Sequence, residues 1–332
     1  MKHSNISIFI PHMGCPHLCS FCNQNIISGS SLAPTIPQVK TILDESLNTL
    51  GERARNAQIA FFGGSFTAIP RDYMIELLSA AQPYIGDDGF GGIRISTRPD
   101  CIDEEILTLL KNSNVTAIEI GIQSMDDDVL LLNDRGHTGS DVVNAAHLIS
   151  SFGLELGAQM MIGLYADNEH TIRHTASEIV RLGFDTVRIY PVAVLKGTKL
   201  AMLYNNGQFI PPTIEAAVDI CADLIVYFTN KNIDIIRVGL HASDVVEKDF
   251  IAGIYHPAFR ELCESKIYYR IIDSEINSKA GNYTVQANSR EISKVIGQNK
   301  SNVRNFSAQG INLKIKSNDS LGKYQVVILK EV

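Results

Sequence analysis

The chain has 332 residues, of which 45% are hydrophobic and 20% are charged, and its formal net charge is −7. This length and composition permit a sizeable buried core, in one large domain plus a small one or in two medium domains. The negative charge argues against a protein that coats nucleic acid or anionic membrane over its whole surface, although it allows a local basic patch.

The cellular compartment is inferred from three kinds of sequence feature: membrane spans, signal peptides and cysteine patterns. No stretch approaches the length of uncharged apolar residues that a membrane span requires, so we expect no membrane partner. The apolar run at residues 6–10 is too short for a signal peptide. Six cysteines in a chain of this length do not indicate a disulfide framework, and a reducing compartment keeps thiols free. We therefore expect a cytoplasmic protein.

Apolar runs rich in β-branched residues alternate with helical patterns over most of the chain. The predicted strands are residues 6–10, 58–62, 92–97, 117–122, 156–162, 186–192 and 234–240. Apolar residues at spacings of three and four predict helices between them. This alternation predicts βαβ units around a parallel sheet. Six units are too few for a closed eight-stranded barrel, so the predicted fold is α/β, an open partial (β/α)6 barrel of the TIM type.

Residues 276–332 have a different pattern, which predicts a small α+β domain with the order β-α-α-β-β. This segment has nine Lys and Arg against three Asp and Glu, a charge of +6, which leaves −13 for the rest of the chain. We therefore predict two domains, residues 1–275 and residues 276–332. The sharp division of charge indicates a separate function for the second domain.

A cysteine triplet follows the first predicted strand: Cys15, Cys19 and Cys22 lie within eight residues. Thiolates at this spacing bind zinc or an iron–sulfur cluster. Three histidines close by in the sequence would complete a zinc site: His3, His12 and His17. On a four-iron cluster, three thiolates would instead leave one iron open to a substrate or cofactor. The triplet is predicted to lie at the carboxyl end of the sheet, where α/β active sites lie.

The triplet, with Phe21 just before its last cysteine, resembles the signature of the radical S-adenosylmethionine (SAM) enzymes. The resemblance implies that the three cysteines hold a [4Fe–4S] cluster whose fourth iron is chelated by SAM. One electron from the cluster would then cleave SAM to a 5′-deoxyadenosyl radical that abstracts hydrogen. The resemblance also implies a flavodoxin- or ferredoxin-type electron donor. Because such a radical is indiscriminate, water must be excluded and the substrate held in place.

Residues 61–70, after the second strand, resemble the Gly-Gly-Glu-type segment of that family. The resemblance implies that Gly63, Gly64 and Ser65 contact the SAM amino group, although a tight turn is the alternative reading. Ser65 stands where the common version has an acidic residue, so backbone contacts would dominate. Arg98, after the third strand, is a further candidate cofactor contact, with a solvated charge at a turn as its alternative.

Gln123 ends the fourth strand and Arg135 lies twelve residues on. Together they resemble two subfamilies, the elongator-type catalytic subunits that modify tRNA wobble uridine and the oxygen-independent coproporphyrinogen oxidases. The resemblance implies that Gln123 contacts the SAM ribose and that Arg135 pairs with the SAM carboxylate, which a guanidinium matches bidentately. Gln159 on the fifth strand is predicted as another ribose contact, unless it is only a polar residue at a strand end.

Residues 188–209 strongly resemble the elongator-type sequence after the sixth strand. Tyr190, Lys196 and His241 are the candidates for catalysis or substrate contact, with no step assigned to any of them. Packing is the alternative for Tyr190 and a structural role for His241. Elongator-type proteins carry an acetyltransferase domain after the radical SAM domain. We expect none in this chain, so their carboxymethyl-type uridine chemistry is not carried over.

Residues 292–306 resemble the centre of a KH domain, in which a helix, a Gly-x-x-Gly loop and a second helix clamp a single strand of nucleic acid. Here Lys300 replaces the second glycine. The implied RNA contacts are Lys294, Gly297, Lys300 and Arg304, and Lys314 and Lys316 add cations for phosphates. The alternative is a small basic cap that packs on the barrel.

These features predict a radical SAM enzyme that modifies a nucleotide in tRNA or rRNA. Two alternatives stay open at this point. One is a radical SAM enzyme acting on a small molecule or a porphyrin-type substrate. The other is a non-catalytic RNA-binding protein with a structural metal.

Overall fold

The structure is a computed structural model. It describes residues 4–11, 13–23, 26–27, 32–241, 244–277 and 279–331. The chain divides into two compact units. Unit 1 comprises Met1–Pro212 and Lys231–Tyr255, and unit 2 comprises Thr213–Asn230 and His256–Val332. The predicted second domain, residues 276–332, lies within unit 2. A domain boundary at residue 275 stays a prediction.

The strands of unit 1 form an open parallel sheet. They are β1 (Ser4–Ile10), β2 (Ala57–Gly63), β3 (Ile93–Thr97), β4 (Val115–Gln123), β5 (Glu155–Ile162), β6 (Thr186–Pro191), β7 (Ala193–Leu195), β8 (Asp234–Val238) and β9 (Phe250–Gly253). Seven of them pair in the order β1-β2-β3-β4-β5-β6-β8, so β1 and β8 are the two edges. β7 and β9 form a separate antiparallel pair. The predicted α/β class, strand positions and open barrel are confirmed.

Helices connect these strands and continue into unit 2. In chain order they are α1 (Ile36–Leu50), α2 (Arg71–Ala81), α3 (Glu104–Asn112), α4 (Asp127–Leu132), α5 (Gly139–Ser151), α6 (Glu169–Arg181), α7 (Lys199–Asn205), α8 (Ile214–Asn230), α9 (Asp244–Asp249), α10 (Phe259–Ile276), α11 (Ile292–Ile296) and α12 (Ser301–Ala308). Local capping fixes several of their starts. Asp103 accepts a hydrogen bond from the Ile106 amide at the start of α3, and Thr138 and Asp141 form a capping box on α5. No helix among the described residues is both long and apolar enough to cross a membrane.

An ion network lies buried among the parallel strands. The Glu119 carboxylate on β4 is 1% exposed and accepts from Arg188 on β6 at 2.6 and 2.9 Å. It also pairs with Arg94 on β3 at 3.2 Å, and Arg94 pairs with Glu155 on β5 at 2.7 Å. Gly157 makes room, since a Cβ there would come within 2.8 Å of the Glu119 side chain. Buried charges persist only when paired in this way.

Unit 2 contains a three-stranded sheet, β10 (Gly281–Ala287), β11 (Ile311–Ser317) and β12 (Val327–Lys330), in the order β11-β10-β12. β10 pairs with β11 in parallel and with β12 antiparallel. With α11 and α12 between β10 and β11, the element order is the predicted β-α-α-β-β. Its KH character stays a prediction. The core of this unit contains Tyr268 and Ile272 from α10, Val285 from β10 and Phe306 from α12.

A buried carboxylate on α10 joins that helix to the rest of unit 2. Glu264 is 3% exposed and contacts Lys294 at 2.7 Å, Lys323 at 2.9 Å and the Tyr324 hydroxyl at 3.3 Å. Burial alone would raise the pKa of Glu264, but Lys294 and Lys323 outweigh it and lower the pKa from 4.5 to about 2. The ionised carboxylate therefore stabilises the folded unit.

We expect this contribution to be present above the unfolded pKa of 4.5 and to be lost as the pH falls towards 2, because the unfolded chain binds the proton more readily. Glu264→Gln removes the carboxylate and leaves two lysines near an uncharged amide, which we expect to destabilise unit 2 by about 2 kcal/mol at pH 7. Amide hydrogen exchange of residues 281–317 in the full chain measures this loss of stability. Glu261→Gln, on the exposed side of the same helix, is the matched control and should change exchange little. Equal exchange in both variants would contradict the assignment.

Candidate functional site

A cavity of about 260 Å³ lies in unit 1 at the carboxyl ends of the parallel strands. Gly63 at the end of β2, Gln123 at the end of β4 and Tyr190 near the end of β6 all line it. This is the edge at which parallel α/β sheets place their ligands. The cavity is therefore the candidate site.

The cysteine loop follows β1 and forms one wall of this cavity, since Cys15, Cys19 and Cys22 all line it. The Ser20 amide donates to the Asn133 carbonyl at 3.0 Å, and the Ser20 hydroxyl donates to the Asn133 side chain at 2.8 Å. The Leu200 amide donates to the Ser20 carbonyl at 2.8 Å. Each of the six cysteines is outside any disulfide. Hydrogen bonds of the Ser20 backbone and side chain, rather than disulfides, thus hold this loop in place.

The glycine motif, Gly63 and Gly64, packs against the segment that leads into this loop. The Gly64 amide donates to the Ile10 carbonyl at 2.9 Å, and a Cβ on Gly64 would lie 1.9 Å from the Met13 carbonyl oxygen. Gly63 has a φ of +115°, a conformation that favours glycine. Both glycines also line the cavity. The structure therefore gives Gly63 and Gly64 a role that the sequence did not reveal, which is to let β2 approach the segment that leads into the cysteines.

Ser65, the third residue of that motif, is 1% exposed. Its hydroxyl lies 2.8 Å from that of Thr97, and Thr97 lines the cavity. Thr97 is in turn 2.7 Å from the Thr67 hydroxyl. A contact between Ser65 and a cofactor stays a prediction, and the cavity wall at this point is formed by Thr97.

Arg98 is 5% exposed and lines the cavity, so it is a buried side chain and not a solvated turn residue. It donates to both carboxylate oxygens of Asp100, at 2.8 and 2.7 Å. This bidentate pair neutralises the guanidinium. Its role as a cofactor contact stays a prediction.

Gln123 and Arg135 lie close together, next to Gly121, and their role as cofactor contacts stays a prediction. Arg135 is 6% exposed, and it donates to the Cys19 sulfur at 3.1 Å and to the Gly121 carbonyl at 2.6 Å. Its Nε is buried and has no hydrogen-bond partner among the described residues. Gln123 has a φ of +65°, an uncommon conformation for a residue other than glycine, which is found at functional sites. Both residues line the cavity.

Gln159, Tyr190 and His241 also line the cavity, as does Phe21. The amide nitrogen of Gln159 donates to the Ser96 hydroxyl at 2.6 Å and to Glu119 at 2.9 Å. Burial raises the pKa of Tyr190. Burial, with the nearby guanidiniums of Arg237 and Arg188, lowers the pKa of His241 to about 4, so its imidazole is neutral at pH 7.

Lys196, the remaining catalytic candidate, is exposed and directly follows β7. Its Nζ is 3.2 Å from Asp249 and also 3.2 Å from the Lys248 carbonyl. The structure thus places Lys196 in a surface ion pair. A catalytic role for it stays a prediction.

The predicted RNA contacts all lie in unit 2. Gly297 begins a turn between α11 and α12 with a φ of +78°, and Lys300 ends the turn with a φ of +62°. Lys300 and Arg304 are exposed. Lys294 differs, since it is 19% exposed and lies 2.7 Å from Glu264 and 3.0 Å from Glu291. A phosphate contact by Lys294 would have to compete with both carboxylates.

Several residues of the site were missed by the sequence reasoning. Arg188 lines the cavity and stacks over the Phe62 ring at 5.1 Å. The neighbouring Glu119 binds both Arg188 and Gln159. A signal was present: each charge occupies an alternate position within an otherwise apolar run that predicts a buried strand. A charge in such a position must find a partner on another strand.

The three thiolates of Cys15, Cys19 and Cys22 fit a [4Fe–4S] cluster in which one iron has no protein ligand. No group of three His, Cys, Asp or Glu side chains in the described part of the chain is arranged to hold a single metal ion. The thiolates of a [4Fe–4S] cluster each bind a different iron, so they are spread more widely than around one ion. The buried, unpartnered Nε of Arg135 beside Cys19 fits an anionic group in the same place. Three histidines were predicted as possible further ligands of a zinc site. His17 lines the cavity, and His3 and His12 lie outside the described residues.

Family models match most of the chain. The model of the radical SAM superfamily matches residues 9–179, and the model of the radical SAM C-terminal domain matches residues 184–269. The first match covers all three cysteines, both glycines, Gln123, Arg135 and Gln159.

Three curated relatives are similar in sequence. An uncharacterized protein of Methanocaldococcus jannaschii is 30% identical over 59% of this chain and 63% of its own length. Elongator complex protein 3 of Danio rerio is 30% identical over 67% of this chain and 44% of its own. A tRNA uridine(34) acetyltransferase of Methanocaldococcus infernus is 34% identical over 38% of this chain and 24% of its own. The chain thus spans less than two thirds of the length of each of these relatives.

The fold is similar to a solved structure of archaeal Elp3 from Methanocaldococcus infernus with an N-terminal deletion. The TM-score is 0.64 at 19% identity, and the match covers 82% of this chain and 63% of that one. At this identity the likeness concerns the fold alone.

We expect replacement of Cys15, Cys19 or Cys22 by alanine to reduce bound iron and sulfide to a small fraction of the four of each in a full cluster, because each thiolate holds its own iron. Chemical iron and sulfide analysis of anaerobically reconstituted protein, with its visible absorption, measures this. Cys101→Ala is the matched control, since Cys101 follows β3 close to Arg98 but is not part of the triplet, and it should retain the cluster. Full iron in the triplet variants would overturn the assignment.

Proposed function

The chain belongs to the radical SAM superfamily, and from this premise we propose that its radical chemistry modifies a nucleotide in an RNA, with tRNA the first candidate and rRNA the second. The chain is an enzyme whose family uses a [4Fe–4S] cluster and SAM as cofactors. The substrate is the part of the proposal that goes beyond the family.

In this proposal Cys15, Cys19 and Cys22 hold the cluster. When bound, the cluster supplies the electron that cleaves SAM to a 5′-deoxyadenosyl radical. The Gly63–Gly64 backbone contacts the cofactor's amino group, and the Arg135 guanidinium pairs with its carboxylate. The unpartnered Nε and the position of Arg135 beside Cys19 support this pairing.

The apolar part of the cavity wall excludes water from the reacting atoms. Phe9, Phe62, Met161, Leu195 and Leu240 contribute to this wall. Water would quench a reactive intermediate or let it react with the protein, so an apolar wall protects the chemistry. Tyr190 and His241 line the same cavity and are our candidates for polar contacts with a substrate held there. At pH 7 the neutral His241 imidazole offers one N–H donor and one nitrogen acceptor for hydrogen bonds to a substrate.

The observation that carries the RNA proposal is the basic surface of unit 2. Four of its cations form no ion pair among the described residues: Lys300, Arg304, Lys314 and Lys316. All four are exposed, in a chain whose first 275 residues carry a charge of −13. Unpaired exposed cations on one small module are suited to phosphate contacts. The names of the relatives, Elongator complex protein 3 and tRNA uridine(34) acetyltransferase, support tRNA as the RNA.

The acetyl transfer in one relative's name is not carried over, because the match spans only 24% of that relative. The proposed reaction is therefore a hydrogen abstraction that alters a nucleotide, with the transferred group left open. We propose that the electron comes from a flavodoxin- or ferredoxin-type protein. A reducing compartment such as the cytoplasm suits the triplet, which must stay in the thiolate form.

We expect the double variant Lys300→Glu and Lys316→Glu to weaken RNA binding at least about tenfold and to reduce the salt dependence of the affinity, because two phosphate contacts are replaced by repulsion. Fluorescence anisotropy with labelled bulk tRNA at several salt concentrations measures both effects. The matched control makes the same change of charge at two exposed lysines of unit 1, Lys40→Glu together with Lys231→Glu, and should retain most of the affinity. Equal losses in both double variants would show that only net charge matters.

The reaction itself is tested by mass spectrometry of nucleosides from tRNA and rRNA of cells with and without the gene. We expect one modified nucleoside to disappear without the gene and to return with the wild-type chain but not with the Cys19→Ala variant. Identical nucleoside profiles would refute RNA modification and direct attention to a small-molecule substrate.

A further inference from the structure

The three-stranded sheet of unit 2 has one face in the core and one face in solvent. Tyr283 and Val285 on β10 belong to the core of this unit, and Leu313 and Ile315 on β11 pack against it, as does Ile328 on β12. The same core contains residues of α10, α11 and α12, so these helices cover that face. Because successive residues of a strand point to opposite faces, the residues between them point away from the helices.

We call the side of the sheet that points away from the helices the outer face. Across it, the strand register aligns two rows of side chains, Lys314, Thr284 and Leu329 in one row and Lys316, Gln286 and Val327 in the other. Each row runs from a cation on β11 through a polar side chain on β10 to an aliphatic side chain on β12. Both lysines are exposed, and Leu329 and Val327 are 51% and 38% exposed. The outer face thus presents charge, hydrogen-bonding groups and apolar surface side by side.

The two lysines of the outer face remain available to a ligand. Within the described part of the chain, neither Lys314 nor Lys316 forms an ion pair. Glu331, which directly follows β12, instead accepts a hydrogen bond from the Thr284 hydroxyl at 2.7 Å. The two lysines lie two residues apart on one strand, which separates their Cα atoms by about 7 Å. Regularly spaced cations without a paired carboxylate suit an anionic chain whose charges repeat along its length.

The amides on the outer face of β10 also keep hydrogen-bonding capacity. The Gln286 Oε1 accepts from the Asn318 side chain at 2.8 Å, and the Asn282 Oδ1 accepts from the Asn312 side chain at 3.0 Å. The amide nitrogens of Gln286 and Asn282 donate to no group among the residues that the structure describes. Each amide therefore keeps two N–H donors for a ligand. Base edges that are not paired with another strand offer acceptors to such donors.

We propose that the outer face binds an unpaired segment of the RNA. The phosphates lie along the lysines of β11, the base edges meet the amides of β10, and the apolar parts of the bases and sugars pack on the aliphatic side chains of β12. A single strand exposes these three kinds of group together, whereas a duplex keeps its bases stacked inside. This contact presupposes that the substrate is an RNA, as proposed for the enzyme.

The other two unpaired cations of unit 2 lie elsewhere. Lys300 ends the turn between α11 and α12, where the resemblance to a KH domain implies RNA contacts, and Arg304 is an exposed residue of α12. Since these helices pack on the core side of the sheet, neither cation lies on the outer face. The basic surface of unit 2 therefore consists of two separate surfaces, which a short RNA strand tells apart.

The probe is a fluorescein-labelled single-stranded RNA hexanucleotide of mixed sequence, and its anisotropy with the full chain gives the affinity at several salt concentrations. We expect Lys314→Gln with Lys316→Gln to weaken binding about tenfold and to reduce the salt slope by about 1.4, since each phosphate contact on a single strand contributes about 0.7. Val327→Ser with Leu329→Ser changes no charge and should weaken binding severalfold without changing the salt slope, because it removes apolar contact only.

Two double variants are matched controls. Lys300→Gln with Arg304→Gln removes the same charge from the helix side, and Val226→Ser with Val245→Ser removes two exposed valines from helices away from the outer face. Both should keep the hexanucleotide affinity within about twofold. Ultraviolet cross-linking of the hexanucleotide to the wild type, with mass spectrometry of the linked peptides, should label residues 312–316 and 327–329. This second measurement does not depend on the folding of any variant.

Wild-type affinity in both outer-face variants would overturn the contact and favour a protein partner for this face. A larger loss in the helix-side variant, or cross-links confined to residues 297–304, would also overturn it and place the strand at the turn between the helices. In these cases RNA remains the substrate. A wild type that binds neither the hexanucleotide nor tRNA would instead refute the RNA proposal itself, so the two failures are distinguishable.

Discussion

The interior of the barrel depends on the ion pairs that the buried Glu119 carboxylate forms with Arg94 and Arg188. This carboxylate is bound by two guanidiniums from β3 and β6 and by the Gln159 amide from β5, and it is 1% exposed. Without it, Arg94 and Arg188 would be buried cations with too few acceptors, which costs several kcal/mol. The same carboxylate thus links strand packing to the polar groups that face the cavity.

Much of the fold and part of the site are predictable from the sequence, for a physical reason. Strands and the cysteine triplet depend on local patterns, namely continuous apolar runs and short spacings, and the structure places both where they were expected. Gln123 and Arg135 lie twelve residues apart and both line the cavity, and their contact with SAM stays a prediction. Each of these features is encoded within a short segment.

Features that depend on distant partners were not predictable. Lys294 was expected at the RNA surface, but its nearest carboxylate, Glu264, lies 30 residues earlier on α10. Lys323 binds the same carboxylate. The charge of +6 in residues 276–332 therefore counts lysines whose charge is used within unit 2. A charge count gives the sign of a surface, and only the pairing shows which cations remain for a ligand.

Gly64 lies where the end of β2 packs against the segment that leads into the cysteines. A side chain on Gly64 would collide with the backbone of Met13, just before the cysteines, and one on Gly14 would lie 2.4 Å from the Ser65 carbonyl. The glycine motif is thus packed directly against the segment that leads into the cysteines. This packing explains how Ser65 stands in place of an acidic residue: its hydroxyl is joined to Thr97, and the backbone geometry that holds the loop does not depend on a carboxylate. What this packing requires at residues 63 and 64 is the absence of side chains, which lets the end of β2 approach Ile10 and Met13 closely.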